Sequence, residues 1–225
     1  MQIAISGVNR GIGAGLARTF LSHGHAVIGF GRMQPMWTDQ DCSEFRFLEC
    51  DMADHTRLEE LCLAVADPID VLICNAATFA NGAGTIEGFH PDALSEAFAV
   101  NTIAPLIMAR TLKENLAAGE RRLIAMMSTG NASLQGNTNG TLLGYRLSKT
   151  ALNQGVRNLA AEWGPEGFTV IALNPGWVKT EMGGPLAELT VEEASDRIFH
   201  FIHEDSAPTP VNGAFLNTDG SPVPW

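Results

Sequence analysis

Seven short strand-like runs with apolar cores punctuate the chain, at residues 2–6, 26–30, 44–49, 71–74, 123–127, 169–173 and 214–217. Their cores, such as Ile3-Ala4-Ile5 and Val71-Leu72-Ile73, lack the polar alternation of a half-exposed strand and read as strands covered on both faces. Between them, residues 12–22, 56–65, 92–118, 145–163 and 191–202 repeat apolar side chains at helical spacing. Strand and helix alternate along the whole chain, which predicts an α/β fold: a doubly wound parallel sheet with helices on both faces. No repeat, low-complexity tract or linker divides residues 1–225, so a single domain is expected. Residues 79–90, 130–144 and 182–190 read as loops around a ligand, because such sheets bind at the carboxyl ends of their strands.

The first strand runs into "SGVNRGIG", residues 6–13. A glycine-rich turn between a strand and a helix aims backbone N–H groups and the helix dipole at a bound pyrophosphate, as in Rossmann-like folds. Gly7 permits the tight turn, while Gly11 and Gly13 allow close approach. The G-xxx-G-x-G spacing differs from both the usual Rossmann fingerprint and the Walker loop. An acid at the end of the second strand would grip an adenosine ribose, but Gly31 and Arg32 stand there instead. With Arg10 inside the loop, two guanidiniums suit a 2′-phosphate, so NADP(H) is expected in preference to NAD(H).

Charge narrows the partners. A net charge of −11 argues against nucleic-acid and anionic-membrane binding, which need cations to neutralise phosphate. No apolar run is long enough to span a bilayer, and the chain starts directly as a strand without a secretory leader. Cys42, Cys50, Cys62 and Cys74 form no CxxC pair, in keeping with reduced thiols in the cytoplasm. His200 and His203 share a helix face without a third ligand, so no metal is expected.

"YRLSK" places Tyr145, the one tyrosine of the chain, and Lys149 at i and i+4 on one helix face. A phenol is a poor acid–base near neutrality, and a neighbouring ammonium is expected to lower its pKa.

In order along the chain, "SGVNRGIG", "CNAA" (74–77), "NTIAP" (101–105), Ser128, "YRLSK" and "NPGWVKT" (174–180) resemble the short-chain dehydrogenase/reductase superfamily of the classical type. "NPGWVKTEMGGP", "TVEEA" and the terminal "GAFLNTDGSPVPW" are similar to its C-factor-like carbonyl reductase branch. The resemblance implies Ser128, Tyr145 and Lys149 as a catalytic triad, with Asn101 as a fourth member on a helix disturbed by Pro105. Ser128 would polarise a carbonyl oxygen that Tyr145 protonates, and Lys149 would tune the tyrosine and hold the nicotinamide ribose. The cofactor would lie on Gly7, Asn9, Arg10, Gly11, Ile12, Arg32, Asp51, Met52, Asn75, Ala76, Ala77, Tyr145, Lys149, Pro175, Gly176, Val178 and Thr180. The serine spacing departs from the family habit: Ala132 stands where the serine is often found, which leaves Ser133 as the alternative to Ser128.

The implied activity is hydride transfer between nicotinamide and the carbonyl or secondary alcohol of a small, mostly neutral or apolar substrate. Phe79, Leu134, Leu142, Leu143, Met182 and Leu186 in the loops carry no positive cluster, which fits such a substrate. A cofactor-binding sensor or signalling protein of the C-factor type is the second function class. The long helices at 92–118 and 145–163 resemble those that pair into homodimers and homotetramers in this superfamily.

Overall fold

The structure, a computed structural model, describes residues 1–37, 42–203 and 211–225. Seven strands, β1 (Gln2–Ser6), β2 (Ala26–Gly31), β3 (Phe45–Glu49), β4 (Val71–Cys74), β5 (Leu123–Met127), β6 (Thr169–Asn174) and β7 (Phe215–Asn217), form one sheet. Their order is β3-β2-β1-β4-β5-β6-β7, and every ladder is parallel. The direction of winding switches between β1 and β4, where Ser6 lies beside Cys74. The turns leaving these two strands diverge there and open a crevice.

Strand parity sorts the core into two layers. Ala4, Ile28, Leu72, Ile124, Met126 and Val170 face α2 (His55–Leu63), α4 (Ala104–Thr111), α5 (Lys113–Ala118) and α6 (Leu143–Trp163), packing with Leu58, Met108, Leu116, Leu152 and Val156. Ile3, Ile5, Val27, Val71, Ile73, Ala125 and Ile171 face α1 (Gly11–Ser22) and α7 (Val191–His203), packing with Leu16, Phe20, Ile198 and Ile202. Both faces are covered, which is why the strands read as continuous apolar runs.

Local signals set several helix starts. Asp54 accepts from the Arg57 N–H at 3.0 Å at the head of α2. "TVEE" builds a reciprocal box on α7, Glu193 N–H to Thr190 Oγ1 at 3.1 Å and Thr190 N–H to Glu193 Oε2 at 2.8 Å.

The helix expected over 92–118 is not continuous. It divides into α3 (Pro91–Phe98), a π turn at Ala99–Ile103, α4 and α5. Pro105 has no N–H to give Asn101, and its ring crowds that carbonyl, so the turn widens ahead of the proline. Helix α6 starts two residues before Tyr145, after Leu142 in left-handed conformation at φ 58°. Among the described residues, no helix is long and apolar enough to cross a membrane.

Candidate active site

The glycine loop is a cradle closed to larger side chains. Gly7 has φ +79°, Gly11 has φ +57°, and a Cβ on Gly13 would fall 2.2 Å from the Gly7 carbonyl oxygen and 2.5 Å from Asn75 Nδ2. Asn75 ties the loop to β4: its Nδ2 donates to the Ser6 carbonyl at 3.1 Å, and Ser6 Oγ accepts from the N–H groups of Asn75 and Ala76 at 3.0 and 3.1 Å. Gly13→Ala is therefore expected to abolish nucleotide binding and cost about 1–3 kcal/mol in urea unfolding. Gly84→Ala, whose Cβ would meet nothing within 4 Å, is the control expected to do neither.

The other expected cofactor residues gather along the same sheet edge. Arg32 is exposed just past β2, and Asn9 leans on that exit through Nδ2 to the Met33 carbonyl. Asp51, exposed, and Met52, buried, follow β3, with the Asp51 carboxylate accepting from the Ala53 N–H at 2.9 Å. Ala76 and Ala77 follow β4, and Ile12 lies in the first turn of α1. Beyond β6, Pro175 leads to Gly176 at φ +85° and buried Val178, while Thr180 packs its methyl against the position of Gly11. Arg10 does not stand free: it pairs with Glu181 across the mouth of the cradle.

Helix α6 presents Tyr145 and Lys149. Tyr145 lies at the sheet's carboxyl end, its ring meeting Phe79 edge-on at 4.8 Å. Lys149 is fully buried and donates from Nζ to the Met127 carbonyl at 2.7 Å. Burial dominates both pKa values. It pushes the phenol up to about 12, with a Thr129 hydrogen bond pulling the other way, and it pushes the ammonium down to about 8. The expected lowering of the tyrosine pKa by Lys149 is thus not seen: burial sets the phenol's direction, Thr129 is the group that opposes it, and the lysine ammonium is turned to a carbonyl.

The hydroxyl beside Tyr145 belongs to Thr129, a residue that sequence reasoning missed. Its Oγ1 accepts from the Asn131 N–H at 3.2 Å, which leaves its proton free to donate, and its influence on the phenol is to lower the pKa against the effect of burial. Ser128 is turned inward instead, donating from Oγ to Asn153 Oδ1 at 2.7 Å. Ser133 serves its own loop, donating to the Trp225 carbonyl at 3.3 Å and accepting from the Gly136 N–H at 3.0 Å. Strand parity held the signal: Ile124 and Met126 face α6, so Ser128 continues that row into the core.

Asn101, fully buried in the π turn, uses both ends of its amide. Oδ1 accepts from the Thr78 N–H at 2.8 Å, and Nδ2 donates to the Thr78 carbonyl at 2.8 Å and to Ser148 Oγ at 3.0 Å. It pins the β4 exit to α6. Around the crevice, Leu134 and Leu186 are exposed, while Trp177 is 51% exposed and held by its Nε1–H on the Gly183 carbonyl at 2.8 Å. Trp37, by contrast, packs on Phe45 and donates to the Val8 carbonyl at 2.8 Å.

Comparison with known proteins gives this arrangement its context. The family model described as Enoyl-(Acyl carrier protein) reductase matches residues 7–216. The C-signal of Myxococcus xanthus is 34% identical over 158 residues, covering 70% of this chain and 93% of that protein. Among solved structures, the carbonyl reductase Sniffer of Drosophila melanogaster superposes with a TM-score of 0.86 at 28% identity, covering 100% of this chain and 99% of that one. An NADPH-bound carbonyl reductase from chicken fatty liver gives 0.85 at 26% identity, covering 100% and 98%. A family model that spans nearly the whole chain, together with carbonyl reductases that share its fold from end to end, places it: the chain belongs to the short-chain dehydrogenase/reductase superfamily of oxidoreductases, in the carbonyl reductase-like branch.

Proposed function

We propose that the protein is an NADP(H)-dependent reductase of small, mostly neutral or apolar aldehydes and ketones, with Tyr145 as general acid and Thr129 in the polarising role expected of Ser128. The observation that carries this reading is the placing of Tyr145 one helical turn from buried Lys149, itself tied to the Met127 carbonyl at 2.7 Å, at the same sheet edge as the glycine cradle. The cradle fits a dinucleotide, because its glycines keep clear the volume that a Cβ would fill. Gly7, Gly11 and Ile12 would face the pyrophosphate, Asp51 and Met52 the adenine, and Asn75 to Ala77 the floor. Pro175 to Thr180 would hold the carboxamide side, and Arg10 and Arg32 a 2′-phosphate. When bound, the nicotinamide supplies the hydride.

The chain's own residues manage the proton. Tyr145, kept protonated by burial, donates to the substrate oxygen as negative charge develops there. Thr129 donates a hydrogen bond to the same oxygen, positioned before the charge appears. Lys149 would hold the nicotinamide ribose and favour the phenolate that remains. Phe79, Trp177 and the loops 79–90, 130–144 and 182–190 would form an apolar wall that excludes water from the exchange.

Titration with NADPH and NADH, followed by cofactor fluorescence, tests the reading first. NADPH is expected to bind more tightly, and with an aromatic aldehyde the protein should oxidise it; preferential binding of NADH overturns the cofactor assignment. The Arg10–Glu181 pair refines the expectation. Its side chains are 67% and 71% exposed, so the pair is weak. Glu181→Gln should free Arg10 and tighten NADPH by about threefold, leaving NADH unchanged.

The similarity to C-signal favours a second reading, a cofactor-binding signalling protein. That reading expects its output to survive the loss of the Tyr145 hydroxyl.

A further inference from the structure

We propose that Asn153 is a positioning residue that sets the Thr129–Tyr145 hydroxyl pair through Ser128; the proposal rests on Tyr145 and Thr129 being the reacting hydroxyls. Tyr145, Lys149 and Asn153 stand at i, i+4 and i+8 of α6 and form one stripe. That stripe grips two successive residues at the exit of β5, immediately ahead of Thr129: Lys149 Nζ donates to the Met127 carbonyl at 2.7 Å, and Asn153 Oδ1 accepts from Ser128 Oγ at 2.7 Å.

Ser128 is clamped from two sides. Its N–H donates to the Leu173 carbonyl of β6 at 2.8 Å, and its side chain is held by α6. Thr129 follows in extended conformation, φ −164° and ψ 148°, one peptide from the clamp. Releasing the Ser128 side chain frees the strand end, and the Thr129 hydroxyl moves with it.

Packing gives no reason for an amide at this position. Asn153 is 3% exposed in a seam of Leu152, Val156, Ile124 and Met126, and its Nδ2 is buried without a hydrogen-bond partner. An unpaired buried N–H is a cost that an apolar side chain would avoid. What Asn153 provides is the acceptor for Ser128. That bond is shielded from water, since Ser128 is also 3% exposed.

The test compares Asn153→Leu, Ser128→Ala, the double variant and Thr129→Val. Three quantities are measured: kcat with NADPH and an aromatic aldehyde, KM for NADPH, and the phenolate titration by ultraviolet difference absorbance in the NADP⁺ complex. The titration has one source, because the chain has a single tyrosine. Asn153→Leu is expected to lower kcat roughly ten- to a hundredfold with KM for NADPH unchanged, the cost of misplacing a reacting group. The phenol midpoint should rise as the Thr129 bond weakens. Ser128→Ala should act alike, and the double variant should be no slower than the worse single, because both changes cut one bond. Ser128→Ala also removes the bond with a smaller change, so it carries the test if Asn153→Leu does not fold. Folded single variants with unchanged kcat and midpoint overturn the proposal, as do losses that add in the double variant. Loss of turnover in Ser128→Ala to the level of a Tyr145 variant would make Ser128 itself the reacting hydroxyl. Full turnover in Thr129→Val sinks the underlying reading, whereas its loss beside a normal Asn153→Leu sinks the positioning role alone.

Discussion

Tyr145→Phe is expected to lower NADPH-dependent carbonyl reduction by about a thousandfold, within the span of general acid catalysis. NADPH binding should stay near that of the parent. The two effects separate because the substitution removes one oxygen and little packing. The ring keeps its edge-on contact with Phe79 at 4.8 Å, and Lys149 keeps its bond to the Met127 carbonyl at 2.7 Å. What is lost is the phenolic hydroxyl, the proton donor of the proposed reaction. Steady-state rates with an aromatic aldehyde, beside a fluorescence titration with NADPH, check both halves. A variant that still turns over near the parent rate removes Tyr145 from the chemistry. One that keeps a biological output without turnover supports the signalling reading instead.

Lys149→Met should make the folded chain more stable at neutral pH, although it removes a group to which the proposed reaction assigns a role. The ammonium is held at about 8 in the fold against 10.5 in solution. A depressed pKa means that the folded state disfavours the charged form. The resulting destabilisation is complete below about pH 8, shrinks between 8 and 10.5, and is absent above 10.5. The difference between those two values corresponds to roughly 3 kcal/mol. The Met127 carbonyl loses its donor in the variant, which reduces the net gain to about 1–2 kcal/mol. Urea unfolding of both proteins at pH 7 and near pH 10.5 measures the difference. A gain at pH 7 that disappears at the higher pH is the expected result, whereas equal stabilities at both would show that the buried charge costs nothing.

The two predictions describe one economy of the site. Burial keeps the phenol protonated and works against the lysine charge, and the bonds from β5 hold both groups in place despite that cost. The pKa raised to about 12 keeps Tyr145 protonated at pH 7, the form that the proposed reaction requires of its acid.

Much of this was legible in the residue order. The seven apolar runs became the seven strands within a residue or so at each end, because parallel strands covered on both faces need unbroken apolar sequence. The glycine loop announced its cradle through residue type alone, since left-handed turns and a 2.2 Å approach to Gly7 oxygen admit only glycine. "YRLSK" located its pair because the helix period is local. The break in the 92–118 helix was readable only as far as Pro105, as one proline marks a disturbance without saying how many residues the π turn takes.

The sequence by itself determined the strand order's raw material, the cradle and the Tyr145–Lys149 pair, because each depends on contacts within a few residues. Strand parity marks Ser128 as facing inward, but tertiary structure decided which partner each of the two hydroxyls meets. Ser128 and Thr129 are adjacent and chemically alike, and neighbouring residues at a strand end point in different directions. The seating of β5 against α6 sends Ser128 to Asn153 and Thr129 to Tyr145, partners 25 residues away for the serine and 16 for the threonine. The same seating turns Lys149 onto the Met127 carbonyl and buries its charge. No local period encodes how a helix and a strand so far apart in the chain come to rest, and that contact is where the chemistry of the site is chosen.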